Sequence, residues 1–379
     1  MKLEGHCDAE FDEVREAFSF HFDQGLEVGA ALAVYHRGKL VVDLAAGWRD
    51  RSSEEPYTRD TLQPVFSVTK GVTAIAANML ADRGALDLNA PVCRYWPEFG
   101  TAGKREIPVR WLLTHQSGVL GLDRPVTQAQ LLDWNYMATR FAAQRPVWEP
   151  GSKHGYHSMS YGFLVGEIIR RASGRSTGRY VADKIAGPLG ADFFIGLPAN
   201  RKDRVAAMLF EQKPGQALRL PDSGPYAKHT LCWISPPLGL SDVNREDVRA
   251  AELPAANGIG NARSLARIFA ATMDTIDGTR LLTSLGINRA RAEQWRGRDE
   301  VMGIENALGL GLLLPTEWCP LGGQGSYGTA GLGGSRAWAH PELGLAFAYT
   351  PNLCRLEHFD SREVALSQVA VSCAKRLAE

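Results

Sequence analysis

Leu62-Gln63-Pro64-Val65-Phe66-Ser67-Val68-Thr69-Lys70, running on through Gly71-Val72-Thr73-Ala74-Ile75-Ala76-Ala77-Asn78-Met79-Leu80, sets a hydroxyl and an amine one helical turn apart. The apolar periodicity predicts a helix that opens at Ser67 and closes with a glycine signal at Gly84. Residues i and i+3 share a helix face, so Lys70 can reach the Ser67 hydroxyl. A serine needs such a base, because its own pKa leaves it a poor nucleophile. The helix start adds unpaired N–H groups and a positive dipole end, which favour negative charge and disfavour a protonated lysine. The spacing alone is weak evidence. Ser372-Cys373-Ala374-Lys375 repeats it inside Ser361–Leu377, which reads as an exposed terminal helix with no matching partners.

Outward from this segment the pattern is mixed. Glu10–Asp23 has helical periodicity, and Ala30–Tyr35 and Leu40–Leu44 read as a hairpin around His36-Arg37-Gly38-Lys39. Helices are expected over Val109–Thr114, Gln128–Ala143, Tyr161–Ala172, Thr177–Ile185 and Gly260–Met273. Residues 201–256 read as covering loops. Leu308–Leu314, Ser335–Ala339 and Leu345–Tyr349 read as strands, the last two joined at Pro341-Glu342-Leu343-Gly344. Strands at both ends with helices between them predict an α+β fold. Its antiparallel sheet is flanked by helices and built from residues 1–60 and 245–379. A mostly helical second domain over 61–244 leaves the active site at the junction.

The bulk numbers exclude several classes. Lys+Arg and Asp+Glu are both 42 among 379 residues, so no net field draws nucleic acid or an anionic membrane. No stretch approaches the roughly 20 apolar residues of a membrane span. The N-terminus lacks the apolar core of a secretory signal, and a cytoplasmic location is the simpler expectation. Six scattered cysteines without a Cys-x-x-Cys pair read as free thiols. His154-x-x-His157 lacks the third ligand a zinc site needs, so no metal and no cofactor are expected. No Gly-x-Ser-x-Gly elbow is present, which argues against an α/β-hydrolase.

Two further segments carry chemistry. In Pro150-Gly151-Ser152-Lys153-His154-Gly155-Tyr156-His157-Ser158 a turn precedes a helix. Tyr156 there either packs at the helix entry or projects its phenol into a cleft, where a nearby ammonium would lower its pKa. Tyr327-Gly328-Thr329-Ala330-Gly331-Leu332-Gly333-Gly334-Ser335 puts glycines at a strand start, a sign of close backbone approach. The alternatives are a surface turn or a ligand edge whose N–H completes an oxyanion hole with that of Ser67. Trp134, Trp148 and Trp318 are candidates for an acyl pocket, with core packing as the default. His115 reads as a turn buttress.

Together these segments resemble the penicillin-binding-protein and β-lactamase superfamily of serine hydrolases, most nearly its class C β-lactamases and family VIII carboxylesterases. Gly29–Asp50, Val109–Gly118, Pro150–Glu167, Asn257–Arg263 and Pro341–Leu345 also match that pattern in order. The resemblance implies Ser67 as nucleophile, Lys70 as base or proton partner, and Tyr156 as a sharer of acid and base work. Ser158 stands at the third position of the tyrosine motif, where it could bond Lys70. Thr329-Ala330-Gly331 replaces the family's Lys-Thr-Gly or His-x-Gly, so the oxyanion N–H would be that of Leu332. Thr329, Gly331, Ser158 and Gln116 are the implied substrate contacts. A lysine or histidine at position 329 would hold a lactam carboxylate, and Thr329 brings only a hydroxyl. The expected substrate is therefore a small, neutral, short-chain ester. β-Lactamase or D-amino-acid peptidase activity, acyl transfer and an idle penicillin-binding scaffold remain alternatives.

Overall fold

The computed structural model describes residues 3–51, 55–211, 225–226, 229, 239–355 and 360–378. Its principal strands are β1 (Glu4–Cys7), β2 (Gly29–His36), β3 (Lys39–Gly47), β4 (Trp295–Arg298), β5 (Glu305–Leu308), β6 (Tyr327–Ala330), β7 (Arg336–His340) and β8 (Leu345–Pro351). Six of them form one antiparallel sheet in the order β1-β3-β2-β8-β7-β6. Strand β8 joins the two ends of the chain, with Ala348 opposite Ala33 and Phe347 opposite Val34. The α+β expectation, with a sheet drawn from both chain ends, holds.

The sheet is buried on both faces, so its strands do not alternate apolar with polar. They alternate small with large. Ala31, Ala33, Ala45, Ala337, Ala339, Ala346 and Ala348 point to one side and join the larger core. Leu32, Val34, Leu44, Trp338, Phe347 and Tyr349 point to the other. The alanine face lets helix α5 (Ala262–Met273) lie close against β2, β7 and β8. The bulky face is covered by α1 (Asp12–Asp23) and by the C-terminal α6 (Ser361–Arg376).

Between these ends lie α2 (Val68–Asp82), α3 (Trp134–Ala143) and α4 (Ser160–Ser173). Every residue of α2 from Val68 to Ala81 is buried, so this helix runs through the interior. It packs on α4, which ends at Gly174 in the left-handed conformation that caps a helix C-terminus.

Three expectations are corrected. Gln128–Ala143 is two helices, because Asp133 accepts the Tyr136 N–H and caps a new start. Leu308–Leu314 is a strand end and a tight turn through Gly311 at φ +80°, not a strand. The terminal helix is not an exposed one, since Arg362, Glu363, Leu366, Ala370 and Ala374 are buried against the sheet. Its Ser372 and Lys375 do face solvent, so the second Ser-x-x-Lys spacing is incidental. The expectation of covering loops over 201–256 lies partly outside the described residues, and those described include helical turns at Ala199–Arg204 and Leu240–Asn244 and a short helix over Glu246–Ala250. Among those described, no helix is long and apolar enough to cross a membrane.

Candidate active site

The segment before α2 is held in a conformation few residues adopt. Gln63-Pro64 pairs with Ile259-Gly260, and the Val65 N–H donates to Gly258 O at 2.9 Å. Phe66 then takes φ +45°, a costly angle for a bulky side chain. Two things hold it there. Its ring is buried with Met208, Val243, Cys354 and Leu332. Thr69 Oγ1 donates to Phe66 O at 2.5 Å and accepts the Gly258 N–H at 2.8 Å. The bend delivers Ser67 at the N-cap of α2, where its side chain makes no capping bond and is left for other partners.

Those partners are the two residues expected. Ser67 Oγ lies 2.7 Å from Tyr156 Oη, and Lys70 Nζ donates to Ser67 Oγ at 3.2 Å. Nζ also donates to Ala255 O at 2.8 Å and sits 4.8 Å from the centre of the Tyr156 ring. Burial pulls the lysine amine down to about 7, so it gives up its proton near neutrality. Burial likewise pushes the Tyr156 phenol up to about 12. The expected fall in the tyrosine pKa is thereby corrected. A lysine this near neutrality supplies too little positive charge to offset the loss of water around the phenol. At neutral pH the phenol keeps its proton, and the amine is the group able to accept one.

Ala255 was not visible in the sequence as a site residue. Asn257 fixes its loop by donating to Val248 O and Ala251 O and accepting the Leu253 N–H, while Thr73 Oγ1 binds Pro254 O at 2.8 Å. Ala255 O takes the place foreseen for Ser158. Among the described residues, the hydrogen bonds of Lys70 go to Ser67 and Ala255, and Ser158 is not one of its partners.

The loop carrying Tyr156 rests on three buried histidines. His157 donates from Nδ1 to Gly155 O, so its Nε2 accepts from Ser117 Oγ at 2.8 Å, a neutral tautomer. Burial lowers His157 to about 4 and holds His115 well below the ordinary histidine range. His115, at φ +58°, accepts the His157 N–H on Nδ1 at 3.1 Å and packs against the rings of Tyr156 and Tyr161. It is a buttress, as its position implied. His154 points away from His157, toward Thr114 O and Asp299.

On the opposite side of Ser67, β6 presses against α2. Thr329 Oγ1 donates to Ser67 O at 3.2 Å. A Cβ on Gly331 would meet Val65 O at 2.4 Å, and one on Gly71 would meet Thr329 at 2.7 Å, so both positions require glycine. The Gly331 N–H is taken by Ser335 O at 2.8 Å and is not a donor to a ligand. Leu332 is half-buried beside Phe66. Gln116 is buried with its side-chain oxygen accepting from Thr114 Oγ1 at 2.7 Å. Of the three tryptophans, Trp148 packs with Leu120 and Val301 beside Tyr156. Trp134 bonds Glu167, and Trp318 lies under the bulky face of the sheet, both as core.

Comparison with known proteins agrees with this geometry. The family model described as beta-lactamase matches residues 18–368. The esterase/beta-lactamase LipL of Mycobacterium tuberculosis is 36% identical over 92% of this chain and 82% of its own length. A crystal structure of a family VIII carboxylesterase superposes with a TM-score of 0.91 at 37% identity, covering 98% of this chain and all of that one. EstA from Arthrobacter nitroguajacolicus Rue61a gives 0.91 at 30% identity over the whole of both chains. With the serine, lysine and tyrosine side by side at the start of a buried helix, the chain belongs to the beta-lactamase family of hydrolases, in the superfamily shared with penicillin-binding proteins.

Proposed function

We propose that the protein is a serine carboxylesterase that cleaves small, neutral esters through an acyl-enzyme. The observation that carries the reading is the contact of Ser67 Oγ with both Tyr156 Oη and a lysine amine that is a base near neutrality. Ser67 Oγ attacks the ester carbonyl carbon as its proton passes to Lys70 Nζ. The backbone N–H groups of Ser67 and Leu332 hold the oxygen that becomes negative. Tyr156 gives its proton to the leaving alcohol and recovers one from Lys70. Water then attacks the acyl carbon by the reverse relay, freeing the acid and returning the proton to Ser67.

Thr329 supports esters over lactams. Its hydroxyl proton is already committed to Ser67 O, so it has none to offer a substrate carboxylate. A charge-assisted bond missing there is worth about 1.5–3 kcal/mol. Weak lactam hydrolysis is a second reading, favoured by the LipL relative, whose name carries both activities.

Turnover of a short-chain nitrophenyl ester beside a chromogenic cephalosporin tests this. The ester is expected to be hydrolysed well and the cephalosporin poorly. Ser67→Ala should abolish ester cleavage and labelling by a fluorophosphonate alike, and full activity in that variant would sink the proposal.

A further inference from the structure

Tyr156 is anchored by a residue with no visible place in the motifs. The turn between β4 and β5 carries Asp299, whose side chain is fully buried. Its Oδ1 accepts three backbone N–H groups, from Tyr156 at 3.1 Å, Val301 at 2.8 Å and Met302 at 2.9 Å. Its Oδ2 lies 3.1 Å from His154 Nε2, and both side chains are fully buried. His154 Nδ1 donates to Thr114 O at 2.8 Å. The same ring stacks on Trp295 of β4, at 5.6 Å between centroids.

The turn grips the tyrosine loop on both sides. Glu300 N–H donates to His154 O at 3.0 Å, before Tyr156, and Asp299 takes the Tyr156 N–H itself. Val301 closes over Gly155, where a Cβ would come within 3.0 Å of it and within 2.7 Å of Trp148. A buried carboxylate without partners would be very costly. Here the His154 ring and the N–H groups of Met302 and Tyr156 keep Asp299 ionised below its ordinary range, against the opposing effect of burial.

Building on the esterase reading, we propose that Asp299, supported by His154, is a positioning residue: it fixes the Tyr156 backbone so that the phenol stays on Ser67 Oγ. Asp299 touches no reacting atom. Its effect on the reaction passes through Tyr156 alone.

A double-mutant cycle reads this directly. Wild type, Asp299→Ala, Asp299→Asn, Tyr156→Phe and the double variant Asp299→Ala/Tyr156→Phe are compared by kcat and KM on a short-chain nitrophenyl ester. The second-order rate of Ser67 labelling by a fluorophosphonate, which makes no demand on substrate choice, is measured beside them. Asp299→Ala is expected to lower kcat by about 10²-fold, the usual cost of displacing a reacting group by an ångström, with KM little changed. Asp299→Asn keeps an acceptor for the Tyr156 N–H and should restore most of the loss. In the Tyr156→Phe background Asp299→Ala should cost almost nothing further. An equal loss in both backgrounds, or none in the first, overturns the positioning role. If Asp299→Ala does not fold, His154→Gln replaces it in the cycle, with a smaller loss of kcat that also vanishes with Tyr156→Phe. A wild type that neither cleaves the ester nor takes the label overturns the esterase reading itself, and with it this one.

Discussion

An amine kept from water releases its proton early, and the pH dependence of the reaction should show it. Lys70 must be neutral to accept the Ser67 proton, and burial brings its pKa to about 7. The esterase kcat/KM is therefore expected to rise with pH up to about 7 and level off above it. A profile that is flat through neutrality, or that climbs only near the ordinary lysine pKa, would refute the assignment. The same burial bears on stability. The unfolded chain holds this proton up to about 10.5, so across the interval from about 7 to 10.5 it binds more protons than the folded one, and Lys70 makes stability rise with pH there. The pairing of Ser67 with Lys70 was legible because helical spacing is a local fact, whereas the place of Tyr156 came from the family resemblance, since a turn before a helix left both packing and projection into a cleft open. The direction of the Tyr156 shift was not legible, since it depends on how much water the surrounding fold removes.

Elements decide how tightly these groups are brought together. Strand β6 reaches α2 only because Gly331 and Gly71 have no side chains to hold them apart. Gly331→Ala would drive a methyl carbon into Val65 O and push the Thr329–Leu332 backbone off Ser67. We expect it to cost about 1–3 kcal/mol of stability by overpacking and to lower ester turnover by about 10²-fold. Thermal melts and kinetics on the folded fraction measure the two separately, and near-normal turnover would show that the strand edge is not part of the site. The glycine run announced this close approach, and the hairpin of β2 and β3 was likewise readable. The β4–β5 turn was not. Asp299 lies 143 residues from the Tyr156 N–H it accepts, and a lone carboxylate in a sequence gives no sign of such a partner. Leu308–Leu314 was misread for a related reason: a short apolar run around two glycines looks like a strand until the fold turns it.

At the scale of the whole molecule, one side chain ties the site to the C-terminal helix. Arg362 is buried and pairs with Glu27 at 2.8 Å and with Asp360. It also donates to Gly333 O at 3.1 Å and to Leu353 O at 3.0 Å. Gly333 follows Leu332, so the strand edge beside Ser67 is braced from the far side of the sheet. Arg362→Met should destabilise the fold by about 3–5 kcal/mol, because it strands two buried carboxylates without their cation. A denaturant melt checks this, and a loss under about 1 kcal/mol would mean water reaches the cluster. The α+β class was legible in the order of strands and helices. The depth of α6 was not, because an arginine beside two acids reads as surface until its partners from residues 26–27 and 353 arrive.

The pairing of β8 with β2 has a consequence for biogenesis. Residues 29–47 emerge from the ribosome some three hundred positions before their central neighbour exists. Until then a hydrophobic hairpin must wait with one edge bare, in the class of distant contacts that form slowly. From that strand order we expect chaperone capture of the nascent chain, and no fluorophosphonate labelling of Ser67 in chains that stop short of residues 345–351.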